Sequence, residues 1–260
     1  MARQSSLFDL AGKTVLVTGA TGGLGQAMVG AMADHGAVVL LSDRDAASTG
    51  AAANALRADG HTAHALPCDL ADTLAVEALA QAVQTQFGGV DVLVCNAGVQ
   101  GPAGPLADTT EADWQQVMTI NLRSAMTLTT QLIPNMIARG GGTVILMASI
   151  AGLRGNKSIG LYALSKAALS QLARNLAVEW GPHNVRVNAI APGLIRTPLA
   201  ADLLANEAFM ARRMSLTPLR RPGEPHEVAG VAVMLASAAG AFITGQTLVI
   251  DGGTLITDGG

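Results

Sequence analysis

The chain has 260 residues, of which 50% are hydrophobic and 13% are charged, so it can bury the core of one large domain or two small ones. Its formal net charge of −3 and its pI of about 5.9 give no electrostatic basis for binding nucleic acid or an anionic membrane. Residues 1–10 lack the apolar run of a signal peptide, and the least charged stretch, 228–243, is too short to span a bilayer, so we expect a soluble, cytoplasmic protein.

Short apolar or β-branched runs alternate with longer helical patterns along the whole chain. Strands are predicted at residues 14–18, 37–42, 63–66, 90–95, 143–147, 185–190 and 247–250. Helices are predicted at about residues 25–35, from the end of the second strand to residue 56, and at 76–87. Two longer helices are predicted at 112–139, with a bend near Pro134, and at 158–180. Near-continuous apolar strands between helices indicate a seven-stranded parallel sheet covered on both faces, that is, a doubly wound α/β Rossmann fold.

No repeat, linker or low-complexity tract divides this pattern, so one domain is expected over residues 1–260. A doubly wound sheet binds its ligand beyond the C-terminal ends of its strands. The least regular segment, 191–217, follows the sixth strand and is therefore predicted to be a functional loop at that edge.

A glycine-rich turn joins the first strand to the first helix and reads Thr18-Gly19-Ala20-Thr21-Gly22-Gly23-Leu24-Gly25. Glycines allow the backbone to turn tightly and to approach a ligand closely. The N-terminus of the helix then offers free N–H groups and a positive dipole end to a pyrophosphate. In this strand–turn–helix context the turn predicts a nucleotide-binding site.

Residues at the ends of the next strands bear on which nucleotide is bound. Asp43 can accept hydrogen bonds from a ribose 2′-hydroxyl and would repel a 2′-phosphate, although it can also be read as a turn or helix-capping residue. Arg44 can accommodate a 2′-phosphate, and on balance we favour NAD over NADP. Asp69, followed by Leu70, either contacts the adenine edge or lies near the start of the next helix. The run Asn96-Ala97-Gly98 ends the fourth strand, where small residues let a cofactor lie close.

Tyr162, the single tyrosine of the chain, is followed at i+4 by Lys166, which places a phenol and an ammonium on one face of a helix. Because a nearby cation stabilises phenolate, we expect the pKa of Tyr162 to fall from about 10 towards neutrality. Such a group can donate and accept a proton at physiological pH. Taken alone, Ser149 is more often a strand-end serine, and Asn121 a polar group inside a helix.

In combination these residues resemble the short-chain dehydrogenase/reductase family. The matching motifs occur in the family's order: Thr18-Gly19-x-x-x-Gly23-x-Gly25, Asn96-Ala97-Gly98, Asn121, Ser149, Tyr162-x-x-x-Lys166 and Pro192-Gly193. The likeness spans about residues 10–253. It implies an NAD(P)-dependent oxidoreductase of secondary alcohols and ketones. It also implies a homotetramer, or at least a dimer, with the helices that begin near 112 and 158 buried between subunits.

The resemblance also implies a role for individual residues. Tyr162 would be the general acid/base, and Lys166 would lower its pKa and hydrogen-bond the nicotinamide ribose. Ser149 would hold and polarise the substrate oxygen, and Asn121 would anchor a water that relays protons between Lys166 and solvent. Further cofactor contacts would follow the sixth strand, with Thr197 on the nicotinamide carboxamide: Pro192, Gly193, the Ile195 backbone and Thr197.

The substrate pocket is expected to lie beside Ser149 and Tyr162. Its predicted lining comes from the segments after the fourth and fifth strands and from the loop after Thr197: Gln100, Leu153, Arg154, Asn156, Leu194, Leu199 and Leu203. Arg154 either meets a carboxylate or phosphate or is exposed at the surface. The pairs Arg212-Arg213 and Arg220-Arg221 are expected to be solvated or paired at an interface.

The sequence leaves alternatives for the function. An NAD-dependent alcohol/ketone oxidoreductase leads, with a ketone of modest size, a sugar acid, a polyol or a 3-oxoacyl thioester as substrate. An NADPH-dependent 3-oxoacyl thioester reductase is a second possibility, motivated by Arg44. A catalytically silent nucleotide-binding regulator is a third, and the intact catalytic set argues against it. The five histidines are scattered, and Cys68 and Cys95 are expected to be buried free thiols, so no metal site is expected.

Overall fold

Seven strands pair into one parallel sheet within residues 7–256, the part of the chain that this computed structural model describes. They are β1 (Thr14–Thr18), β2 (Val38–Ser42), β3 (Ala63–Ala65), β4 (Val92–Cys95), β5 (Gly142–Met147), β6 (Val185–Pro192) and β7 (Thr247–Ile250). Their spatial order is β3-β2-β1-β4-β5-β6-β7, which confirms the predicted doubly wound Rossmann fold. Two expectations concern segments that are only partly described. One is the absence of a signal peptide at residues 1–10, and the other is the extent of the single domain over residues 1–260.

Helices cover both faces of this sheet, because its strands are apolar on both sides. Their bounds are α1 (Gly23–Asp34), α2 (Ala46–Ala58), α3 (Thr73–Phe87), α4 (Glu111–Met118), α5 (Ser124–Ala138), α6 (Gly160–Trp180), α7 (Ala201–Ala205), α8 (Glu207–Ser215) and α9 (Pro225–Ala236). On one face Leu128 and Leu132 of α5 pack with residues of α3 and α6. On the other face Met28 of α1 packs with Val228 of α9.

The strand order reverses direction between β1 and β4. The chain leaves β1 towards β2 on one side, while β4 lies on the other side, with Val15 opposite both Val39 and Val92. The connections that follow β1 and β4 therefore diverge, and a crevice opens at their carboxyl ends. This is the edge at which the glycine turn and Asn96 lie.

The helix predicted at 112–139 is two helices, α4 and α5, joined by a π-helical turn at Thr119–Arg123. The bend was expected near Pro134, but α5 continues through that proline to Ala138, and the departure from α-helical geometry lies at the turn that carries Asn121. Such π turns are frequent at functional sites because they re-aim one side chain. The π turn was not predicted, and a bend near Pro134 stays a prediction.

Helix α9 is not predicted by the sequence patterns above. Nearly all its residues are apolar, including those that do not face the core. The sequence therefore lacks the alternation of apolar and polar residues that predicts an amphipathic helix. Helices α7 and α8 lie inside the segment predicted to be irregular. Across residues 7–256, no helix has both the length and the apolar character that crossing a bilayer requires.

Candidate active site

A cavity of about 600 Å³ opens at the carboxyl edge of the sheet. It is lined by every residue predicted to bind the cofactor, and by Ser149, Tyr162 and Lys166. Of the predicted substrate residues, Leu153 is the exception, because it ends a short 3₁₀ helix with its side chain exposed outside the cavity. Asn121 is buried behind the cavity wall.

The glycine turn is shaped by close backbone packing. A Cβ on Gly25 would lie 2.0 Å from the carbonyl oxygen of Gly19, so only glycine fits there. Gly19 itself has φ +64°, a left-handed conformation that favours glycine. The N-cap residue of α1, Gly22, provides no side-chain cap, so N–H groups of the first helical turn remain available to a ligand. This is the geometry that a pyrophosphate requires.

Asp43 braces this turn from the end of β2. Its Oδ2 accepts hydrogen bonds from the Thr21 backbone N–H at 3.0 Å and from the Thr21 hydroxyl at 2.7 Å. Its Oδ1 accepts the backbone N–H of Arg44 at 2.8 Å. Helix α2 is capped instead by Asp45, which accepts the Ser48 N–H at 2.7 Å. The capping interpretation of Asp43 is therefore wrong, and its carboxylate lies in the cleft.

Asp69 lies on the cleft side of the next connection. Its Oδ1 accepts the Ala71 backbone N–H at 2.9 Å, and its side chain is exposed along the cavity. The cap of α3 is Asp72, which accepts the backbone N–H of Leu74. Asp69 thus lies near the start of α3, as one alternative has it, and on the cavity wall, while its contact with an adenine edge stays a prediction.

Asn96 ties β4 to the glycine turn, a role that its position after a strand did not reveal. Its side-chain amide donates to the carbonyl oxygens of Thr18 at 2.9 Å and Gly19 at 3.0 Å. In return the Thr18 hydroxyl accepts the backbone N–H groups of Asn96 and Ala97. An amide at a strand end beside the switch point is the only sequence signal for this tie.

Lys166 points from α6 into the buried wall of the cavity. Its Nζ donates to the carbonyl oxygen of Met147 at 2.6 Å and lies 5.5 Å from the centre of the Tyr162 ring. Burial lowers the pKa of Lys166 to about 8, with a small opposing effect from Cys95. The side chain is therefore mostly protonated at neutral pH.

The pKa of Tyr162 differs from the expectation. Burial raises it above its ordinary value, and the hydrogen bond with Ser149 only partly opposes this effect. The ammonium of Lys166 donates to Met147 and lies beside the ring, so it does not outweigh the loss of hydration. In the chain by itself, Tyr162 is a neutral phenol that hydrogen-bonds Ser149, and the lowering of its pKa by Lys166 together with the positive charge of an oxidised nicotinamide stays a prediction for the cofactor-bound chain.

Asn121 holds the π turn against the segment after β4. Its Oδ1 accepts the Val99 N–H at 2.8 Å, and its Nδ2 donates to the Val99 carbonyl oxygen and to the Ser165 hydroxyl, each at 2.9 Å. Both hydrogens of the Asn121 amide are used in these contacts. A relay water at this residue would therefore have to donate a hydrogen bond to one of its carbonyl oxygens. Asn121 and Lys166 pack on the same side of Gly98, where an added Cβ would lie within 3.4 Å of both.

The loop after β6 folds back over the glycine turn. A Cβ on Gly23 would lie 2.9 Å from Pro198 and 3.0 Å from the Thr197 side chain. The root of the loop is fixed where Ile195 pairs with Gly223. The cleft is therefore covered from above by the segment predicted to be a functional loop.

Two residues of α8 line this cavity without having been predicted. Phe209 and Arg213 face it, whereas Arg212 is exposed as expected. Arg213 was expected to be solvated or paired at an interface; it is half-buried on the cavity wall, because the helix turns only one of the two adjacent arginines fully outwards. A helix inside the loop could have been inferred from Asn206, which caps α8 by accepting the Phe209 N–H.

Comparison with known proteins extends over nearly the whole chain. Residues 19–254 match a family model described as enoyl-(acyl carrier protein) reductase. Dehydrogenase/reductase SDR family member 4 from Oryctolagus cuniculus is 37% identical, over 94% of this chain and 94% of its own length.

Two solved structures have the same fold. One is a gluconate 5-dehydrogenase from Burkholderia cenocepacia J2315 in complex with NADP and tartrate, with a TM-score of 0.93 and 31% identity, over 96% of this chain and 98% of that chain. The other is a 7α-hydroxysteroid dehydrogenase complexed with NADH and 7-oxo glycochenodeoxycholic acid, with a TM-score of 0.90 and 35% identity, over 95% of this chain and 96% of that chain.

Proposed function

The chain belongs to the short-chain dehydrogenase/reductase family, and from that premise we propose that Tyr162 is its proton donor and acceptor, with Ser149 and Lys166 as partners. As a member of this family it is an NAD(P)-dependent oxidoreductase that acts on secondary alcohols or the corresponding ketones. The observation that carries the assignment of residues is the convergence of these three side chains on one cavity whose far end is the glycine turn.

The chemistry divides between the cofactor and the chain. A nicotinamide cofactor, when bound, supplies the hydride in reduction and accepts it in oxidation. In reduction, the neutral phenol of Tyr162 donates its proton to the carbonyl oxygen, so that ketone, hydride and proton become the alcohol; oxidation runs the same transfer backwards. Ser149, which already hydrogen-bonds Tyr162, holds that oxygen in place. The protonated Lys166 beside the ring favours the phenolate that Tyr162 becomes.

The cleft fits a dinucleotide. Gly19, Gly23 and Gly25 let the turn pack tightly against its neighbours, where any Cβ would clash, and the uncapped start of α1 that results suits a pyrophosphate. Thr197 lies beside the turn, at the end where the nicotinamide would be held.

Within this cleft we favour NAD over NADP. The carboxylate of Asp43 lies in the cleft beside the glycine turn, where it would repel the 2′-phosphate of NADP and accept a hydrogen bond from the ribose 2′-hydroxyl of NAD. Arg44 is the opposing observation, since its exposed side chain lines the same edge. Related structures contain either NADP or NADH. Fluorescence titration with NADH and NADPH decides: tighter NADH binding is expected, and NADPH binding more tightly by about tenfold would reverse the assignment.

The reaction is tested with a panel of ketones and secondary alcohols, read through nicotinamide absorbance in both directions and with both cofactors. Turnover of at least one pair is expected from wild type. A chain that binds cofactor but turns over nothing in a broad panel would instead support the catalytically silent regulator.

We also propose a homo-oligomer, with a tetramer favoured by family likeness. Large apolar side chains on α4, α5 and α6 are exposed: Trp114, Met126 and Leu164. Light scattering on the purified chain tests this, and a monomeric mass at micromolar concentration would contradict it.

A further inference from the structure

Two guanidinium groups from distant parts of the chain share the cavity of the proposed catalytic residues. Arg154 follows the 3₁₀ helix that begins after Ser149, and Arg213 lies in the last turn of α8. Both line the same cavity as Ser149 and Tyr162, and both are partly buried. The fold therefore places two positive charges at the substrate end of the cleft.

Neither guanidinium forms an ion pair in the described part of the chain, although the charge of Asp251 reaches Arg213. No carboxylate lies within 4.0 Å of Arg154 or Arg213, and neither side chain donates a hydrogen bond to another residue within 7–256. By contrast, Arg186, which is also partly buried, donates to three backbone carbonyl oxygens and to the Thr143 hydroxyl. An arginine that only stabilises the fold normally has such partners.

The position of Arg213 is fixed by packing and opposed by electrostatics. Its guanidinium lies 5.3 Å from the centre of the Phe209 ring, a cation–π contact that holds it at the cavity wall. Burial lowers the pKa of Arg213, and the charge of Arg154 lowers it further, while Asp251 opposes these effects. An anion bound between the two guanidiniums would relieve both costs.

We propose that the substrate carries a carboxylate, bound by Arg154 and Arg213, at a distance from the ketone or alcohol that reacts at Tyr162. Guanidinium groups recognise planar carboxylates with paired hydrogen bonds, and they also bind phosphates. The remaining wall of this end combines apolar Leu199 and Leu203 with the amide of Asn156, which suits a small oxo- or hydroxy-acid. The proposal rests on the oxidoreductase function given above.

The experiment compares ketones that carry an anionic group with counterparts in which a neutral group replaces it. Reduction by the purified full chain with saturating cofactor is measured for 5-keto-D-gluconate against L-sorbose, and for levulinate against levulinamide. Dihydroxyacetone phosphate against dihydroxyacetone is the phosphate arm. The carboxylates are expected to exceed their neutral partners in kcat/KM by at least about tenfold, mainly through KM.

Variants locate that preference. Arg213→Gln and Arg154→Gln are each expected to reduce the acid-to-neutral ratio of kcat/KM by about tenfold. Arg213→Lys should have an intermediate effect, because lysine keeps the positive charge but lacks the paired N–H donors of a guanidinium. Arg212→Gln, on the same helix but outside the cavity, is the matched control and should leave the ratio unchanged. A ratio near one in wild type, a ratio insensitive to both arginines, or a preference confined to the phosphate pair would overturn the proposal.

A binding measurement separates this proposal from the reaction itself. Calorimetric titration uses the chain loaded with reduced cofactor, which cannot oxidise an alcohol, with tartrate as the dicarboxylate and threitol as its neutral counterpart. If no ketone is reduced but tartrate binds and Arg213→Gln weakens it about tenfold, the anion site stands and the proposed reaction fails. If ketones are reduced while the affinity for tartrate is the same in the wild type and in both arginine variants, the reaction stands and the anion site fails.

Discussion

The two ends of the cleft are built in different ways. At the cofactor end, side chains hold backbone: Asn96 binds the carbonyl groups of Thr18 and Gly19, and Asp43 binds Thr21. At the substrate end, α7 and α8 present exposed side chains such as Leu203 of α7, with few hydrogen bonds to the sheet. A cofactor of fixed shape needs a fixed backbone, whereas substrate choice depends on individual side chains. Tyr162 and Lys166 stand on α6 between the two ends.

The largest effect is expected where the ends meet. Tyr162→Phe removes the proton donor but keeps the ring beside Lys166, so turnover should fall by roughly 10²–10⁴ while cofactor affinity stays nearly unchanged. Steady-state rates and NADH titration measure the two quantities separately. Near-normal turnover would refute the proton-transfer role, and a parallel loss of cofactor affinity would mean that the two ends are not separable at this residue.

A substitution within α1 tests the rigid end alone. Gly25→Ala would push a methyl group against the Gly19 carbonyl, so we expect a loss of roughly 1–3 kcal/mol in unfolding free energy and at least tenfold weaker cofactor binding. Gly30→Ala is the matched control on the same helix, because a Cβ there meets nothing within 4 Å. It should stabilise the chain by up to about 1 kcal/mol. Urea unfolding that shows similar effects for both variants would contradict this account.

The same contrast explains which parts of the site could be predicted from the sequence. The strand ends and the glycine turn were predicted closely, because alternating elements and the run from Thr18 to Gly25 depend on local backbone geometry. Arg213 was missed because its neighbourhood with Arg154 exists only after α8 has folded over the sheet. The raised pKa of Tyr162 in the chain by itself was not predicted, because burial cannot be read from an i, i+4 spacing.

The burial of Lys166, which lies on α6 between the two ends of the cleft, can be tested through the pH dependence of stability. Its pKa is about 8 in the folded chain against an ordinary value of 10.5, so between these values the unfolded chain binds more protons than the folded one. The cost of burying the charge is full below pH 8 and is relieved as the pH rises towards 10.5. Unfolding free energy of wild type should therefore rise relative to Lys166→Met over that interval, as measured by urea titrations at stepped pH. Parallel curves would show that Lys166 is not buried as a cation.

The smallest effect concerns the root of the substrate loop. Glu227 of α9 accepts hydrogen bonds from Arg221 and from the Glu224 backbone N–H, and these contacts lower its pKa to about 2. Because the folded pKa lies below the ordinary value of 4.5, this stabilisation is present above pH 4.5 and is lost as the pH falls towards 2. Glu227→Gln should thus be slightly less stable than wild type at pH 7, and the difference should shrink in acid and in high salt, since the pair is exposed.

The site of this pair makes the test specific to one end of the cleft. Glu224, which Glu227 holds, forms an ion pair with Arg196 at 3.0 Å, and the adjacent Gly223 pairs with Ile195 at the start of the loop. Loosening Glu227 should therefore raise the substrate KM, and the cofactor Kd to a smaller extent, because Ile195 and Thr197 of the same loop are also predicted cofactor contacts. The double variant with Arg221→Gln should add little to either single change, because both remove the same contact. Equal changes in KM and Kd would show instead that the loop root supports both ends, and the division between a rigid cofactor end and an adaptable substrate end would not hold.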